Sequence, residues 1–180
     1  MNCTPPIRFV RESEVVIRSR PDLGIPGTAP SRWITRERPK IDRIACPWLV
    51  RRFIDPRAVF LFVPAAQVIP DSKRLAAIPF DVPDVEFSHH WEKCSFDALL
   101  HAFGISTPGL NRLASIVRAA DTGRPRASPE ASGLLAISLG MSRLYGSDVE
   151  MLEAGMLVYD SLYTWCAFGH QERHTWSAHI

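Results

Sequence analysis

The sequence predicts an α+β domain in which a small sheet in the N-terminal half packs against a C-terminal layer of helices. Three observations predict it. Two short β-type runs, RWITR at Arg32–Arg36 and AVFLFV at Ala58–Val63, lie in the first part of the chain. From Ser95 onward the apolar residues recur at helical spacing. No internal repeat breaks the order. The 180 residues suit one domain, and 46% apolar with 22% charged residues is an ordinary globular balance.

Taken in order, residues 1–30 are rich in Pro, Arg and Gly, close on PDLGIPGTAP and read as an arm. The domain is expected over 31–169, with a tail at 170–180 that carries His170, His174 and His179. After the first strand, IDRIACPWLVRRFIDP reads as a helix with two candidate starts. With Asp42 as N-cap, Pro47 would fall inside and remove a hydrogen bond. With Cys46 as N-cap, Pro47 takes the first helical position, where proline is favoured, and this start is preferred. Ala58–Val63 reads as a fully buried strand, and Ala65–Ala77 as a short helix interrupted by Pro70. IPFDVPDVEFSHH is extended and broken by prolines. Ser95 is the expected N-cap of a helix that buries Phe96, Leu99, Leu100 and Phe103. Helices follow at 109–120, 129–144 and 148–168, and the last is apolar nearly all round, as a core helix would be.

The net charge of +2 does not by itself point to nucleic acid. Cys3, Cys46, Cys94 and Cys166 are scattered and form no C-x-x-C pair, which suits a reducing compartment. The first thirty residues hold no apolar signal core, and no run reaches the ~18 apolar residues of a membrane span. The cytoplasm is the expected location. Glycine-rich nucleotide fingerprints and the G-x-S-x-G elbow are absent.

Three blocks resemble a known family. WITRERPKIDRIACPWLVRRFIDP, IPFDVPDVEFSHHWEKCSFDALL, and LASIVRAADTG with ASGLLAISLGMSRLY are similar to the opening, middle and helical end of the C-terminal domain of ChrB-type chromate-resistance proteins. The resemblance implies a part in a bacterial response to chromate. Full-length ChrB-type regulators carry a further N-terminal domain, so DNA binding does not transfer with these blocks.

Beside that resemblance, residues 32–57 hold eight basic side chains against three acidic ones. Arg36, Arg38, Lys40, Arg43, Arg51 and Arg52 are candidates to form one face for chromate or a related tetrahedral oxyanion, since guanidinium groups pair well with such ions. The competing reading is a solvated face with local ion pairs. Cys46, at a helix N-terminus near Arg43 and Arg51, would have a lowered pKa and be the reactive, candidate catalytic thiol; otherwise it is an inert residue packed beside Trp48. His89 and His90 precede Cys94 on a polar connection. A transition metal (Zn, Fe or Mn) held by Asp42, Cys46, His89 and Asp121 is the candidate metal site. Asp121 opposes a helix dipole and needs Arg118, Arg124 or a metal as partner. Three functional readings follow: a chromate-responsive sensing domain that acts on a partner or a homo-oligomer, a small metal- or thiol-dependent oxidoreductase that detoxifies chromate or the oxidants formed in its reduction, and an accessory protein in which these groups are purely structural.

Overall fold

In the computed structural model, residues 29–172 are described. The expected arm and tail lie outside them except at their inner edges, as do Cys3, His174 and His179. Strand β1 (Arg32–Arg36) is central in a sheet of order β2-β1-β3, with β2 at Val59–Val63 and β3 at Ile78–Pro79. Both pairings are parallel, with Trp33 opposite Phe60 on one side and Ile78 on the other. Parallel neighbours require crossovers. Helix α1 (Asp42–Leu49), extended by a π-helical stretch at Val50–Ile54, links β1 to β2. A 3-10 turn at Ala65–Gln67 and α2 (Val68–Arg74) link β2 to β3. The C-terminal layer comprises α3 (Ser95–Ala102), α4 (Pro108–Asp121), α5 (Ala131–Leu144) and α6 (Asp148–Thr164), which ends in a π-helical stretch at Trp165–Gly169. The α+β architecture is as expected. No helix among the described residues is long and apolar enough to cross a membrane.

Several local expectations are corrected. Helix α1 starts at Asp42 with Ile41 as N-cap, so Pro47 lies inside it and Cys46 caps nothing. Tertiary contacts override the proline preference. The Ile41 N–H donates to Ser138 Oγ (3.1 Å), and the Tyr159 hydroxyl donates to the Ile41 carbonyl (3.0 Å). These bonds hold Ile41 at φ 38°, a conformation a β-branched residue rarely adopts. The N-cap of α3 is Cys94 rather than Ser95, and its N–H donates to Asp97 Oδ2 (3.1 Å). Pro70 sits in the first turn of α2, where its missing N–H leaves no bond unmade, so it interrupts nothing. As a sheet edge, β2 buries Phe60 but leaves Val59 exposed. Leu157 on α6 is also exposed.

The core lies between sheet and helices and is rich in aromatic side chains. Trp48 is fully buried, packs against Phe53 and Tyr163 (5.5 Å each), and donates its indole N–H to Asp160 Oδ1 (2.8 Å). Asp160 also takes two bonds from Arg52, at 2.8 and 2.7 Å, which pins α6 to α1. The two helices approach closely at Gly155, where an added Cβ would lie 2.5 Å from Ile44 Cγ2. Gly155→Ala should therefore destabilise the fold by about 1–3 kcal/mol through overpacking. Gly140→Ala, at a helical site with nothing within 4 Å of the added carbon, should instead stabilise it by up to about 1 kcal/mol. Urea unfolding midpoints of the two variants check the pair of opposite signs.

Candidate metal site

Ile41, pinned from two sides, delivers Asp42 into the protein interior. Asp42 is the first residue of α1 and is fully buried. Its Oδ2 accepts the Ser95 N–H (2.6 Å) and the Phe96 N–H (3.4 Å), so the carboxylate of one helix start caps the start of α3. Its Oδ1 is buried without a hydrogen-bond partner. Burial raises its pKa well above the ordinary carboxylate value, and the nearby Asp121 and Asp81 raise it further.

Three more side chains reach the same place. Asp81 follows β3 at φ 51°, a left-handed conformation that aspartate tolerates better than most residues. Its Oδ2 accepts from Arg36 Nη2 (2.9 Å) and lies 3.2 Å from Arg43 Nε, while its Oδ1 accepts the Ser95 hydroxyl (3.0 Å). Asp121 ends α4 and has its pKa raised by burial and by Asp81, with His89 opposing. His89 Nε2 lies 3.0 Å from Asp121 Oδ2, 3.3 Å from Asp81 Oδ1 and 3.7 Å from Asp42 Oδ2.

A single imidazole N–H satisfies one acceptor, yet three carboxylates converge on this one nitrogen. Donors about 2.1 Å from a shared ion would be separated by about 3.0 Å in an octahedron and about 3.4 Å in a tetrahedron. Asp42, His89 and Asp121 offer ligand atoms that all lie within 4.8 Å of one another. Asp42 Oδ1, buried with no hydrogen-bond partner, leaves this carboxylate itself short of a positive partner. Asp81, already engaged by two guanidinium groups and a hydroxyl, is suited to hold Arg36 and Arg43 beside the cluster.

The other residues singled out in the sequence are distributed differently. Cys46 sits in the middle of α1, fully buried, and its pKa is raised by burial and by Asp42. Both premises for an activated thiol, a helix N-terminus and a lowered pKa, are therefore overturned. Cys94 is buried too, with its thiol 3.5 Å from Asp97 Oδ2, and burial also holds its pKa up. His90 contacts the Glu86 carbonyl (3.1 Å). The basic residues do not form one face. Arg36 and Arg43 meet at Asp81, Arg51 pairs with Glu153 and lies over Phe60, and Arg52 is held by Asp160. Arg38 is spent on the Ser142 and Tyr145 carbonyls at the end of α5, and Lys40 lies on the loop before α1. Arg36 and Arg43 share one carboxylate, and the other guanidinium groups find acceptors on different elements. Neither arginine considered for Asp121 pairs with it, since Arg118 binds Asp97 and Arg124 binds Glu92 (2.8 Å each). Sequence reasoning missed Asp81 and Ser95 as parts of the site. Asp81 lies among PFDVPDV with no periodicity to single it out.

Because the folded state favours the protonated form of Asp42, it binds more protons than the unfolded chain above the ordinary carboxylate range. Stability of the metal-free protein should then fall as pH rises from about 4 toward the raised folded value. Asp42→Asn, which keeps an acceptor for Ser95, should flatten that decline and stabilise the metal-free protein at neutral pH by about 1–3 kcal/mol. Thermal midpoints of the two proteins across pH 4–8 check both expectations.

Comparisons with known proteins agree with the sequence resemblance. Residues 33–166 match the family described as ChrB, C-terminal domain. Protein ChrB of Cupriavidus metallidurans (strain CH34) is 36% identical over 151 residues, which span 78% of this chain and 45% of that protein. The chain thus covers somewhat under half the length of that relative. No solved structure matches. On the extent of the family match and the identity to this relative, the chain belongs to the ChrB C-terminal domain family.

Proposed function

We propose that this domain serves chromate resistance as a sensing and binding unit whose working part is a metal pocket built from Asp42, His89 and Asp121. The observation that carries the reading is the convergence of three carboxylates on His89 Nε2, with the fully buried Asp42 left one acceptor short of a partner. A divalent cation offsets the mutual repulsion of Asp42 and Asp121 and takes up the unpaired oxygen. Two carboxylates and one imidazole suit Mn(II), Fe(II) or Zn(II), each of which accepts mixed oxygen and nitrogen ligands. The buried Cys46 thiol takes no part in this reading, which leaves the thiol-dependent oxidoreductase without support.

His89 keeps 41% of its side chain exposed, so an ion has a path to the buried carboxylates. Occupation would tie α1, the loop before α3 and the end of α4 together, and that is the local change a sensing domain would pass to a partner or a second copy. Elemental analysis of protein purified without an affinity tag tests the proposal. About one equivalent of a divalent transition metal is expected, falling at least about tenfold in His89→Ala and Asp121→Asn. Protein that stays metal-free after exposure to all three ions, or equal metal content in the variants, would contradict it.

A further inference from the structure

The pocket is closed on most sides. Asp42 is fully buried, and the side chains of Asp81, Asp121 and Arg43 are 7%, 18% and 17% exposed. His89 and Arg36, each with 41% of the side chain exposed, border its open edge. At that edge two guanidinium groups share one carboxylate, with Arg36 Nη2 2.9 Å and Arg43 Nε 3.2 Å from Asp81 Oδ2. Arg36 Nε is buried and has no acceptor. Arg43 Nη1 is already spent on the Glu37 and Arg36 carbonyls (2.9 and 3.3 Å), so the spare donor capacity lies chiefly on Arg36, and the pair adjoins the cluster through the 3.3 Å contact between Asp81 and His89.

Formal charge decides what can enter. Even with one of the three acids Asp42, Asp81 and Asp121 protonated, the remaining carboxylates match the guanidinium groups of Arg36 and Arg43, so the metal-free pocket has no net positive charge. A divalent cation held by the ionised carboxylates brings the total to one net positive charge. Among side chains this buried the gain acts at reduced effective dielectric and short range, where it is felt most strongly. Without metal the formal charge offers an anion nothing; with metal it attracts one.

Building on the metal reading above, we infer that the loaded pocket takes a small tetrahedral oxyanion as its ligand, entering between His89 and Arg36, and that the metal is a condition of its binding. One oxygen of the anion faces the cation, and the others take the donors of Arg36 and Arg43. Asp81 acts as a positioning residue. It holds both guanidinium groups in place and competes with the anion for them. Because the coupling is reciprocal, the oxyanion also tightens the metal.

Calorimetric titration with sulfate, a tetrahedral dianion that does not oxidise the protein, tests this. The full chain is compared as stripped by chelator and as reloaded with Mn(II), at constant ionic strength. The loaded protein should bind sulfate at least about tenfold more tightly than the stripped one. Arg36→Gln should weaken binding to the loaded protein by about tenfold or more, since a charge-assisted bond is lost. Asp81→Asn should tighten it, since a competing carboxylate is removed. Sulfate binding that is absent, or the same with and without metal, in protein that takes up Mn(II) overturns this inference alone. Failure to take up Mn(II) overturns the metal reading and this one with it. The comparison of stripped and loaded wild-type protein decides the matter even where a variant fails to fold.

Discussion

A fully buried carboxylate at the start of one helix, capping the start of another, is the constraint on which this structure depends. Asp42 opens α1 and accepts the backbone N–H groups of Ser95 and Phe96 at the start of α3. Both helix starts favour negative charge, which offsets part of the burial penalty. The remainder shows in the raised pKa and in the oxygen left unpaired. The backbone bends to keep Asp42 in place, with Ile41 held in a left-handed conformation by Ser138 from α5 and Tyr159 from α6. A protein selected for stability alone would gain by placing a neutral side chain here. That it retains a carboxylate, with Asp121, Asp81 and His89 gathered around it, is the physical basis for reading the place as a site.

The same logic separates the two groups of arginines. Arg52 and Trp48 share Asp160, and Arg51 pairs with Glu153, so these contacts join α6 to the segment that begins at α1. They are part of the frame. Arg36 and Arg43 instead crowd a single carboxylate next to the cluster, and burial together with the neighbouring Arg36 makes the charge on Arg43 harder to keep. Arg43 is further held by the Glu37 and Arg36 carbonyls, while the buried Arg36 Nε has no acceptor. The local excess of basic residues in the sequence therefore divides between structural ties and a pair poised beside the site.

Much of this was legible in the sequence. The strand and helix periods placed β1, β2 and the four C-terminal helices within a few residues, because those segments bury the faces their patterns mark. The polar break at His89 and the unfavourable position of Asp121 pointed to the residues that meet, and the helix dipole argument for Asp121 rests on local geometry that sequence encodes. What sequence did not show was tertiary. The Pro47 rule favoured a later start for α1, but bonds from residues 97 and 118 positions away fix Ile41 as the cap. That shift moved Cys46 from a helix end to the middle of α1, in the core, where its pKa is raised rather than lowered. Asp81 carries no periodic signal, and its role comes from a left-handed turn that brings it between Arg36, Arg43 and Ser95.

The account turns on whether one ion sits among Asp42, His89 and Asp121. The most direct measurement is anomalous diffraction at the manganese edge from crystals grown with Mn(II). The account predicts a strong peak within about 2.2 Å of His89 Nε2 and of carboxylate oxygens from both Asp42 and Asp121. An empty cluster, with His89 hydrogen-bonded to a single carboxylate and the ion elsewhere on the protein, would contradict it.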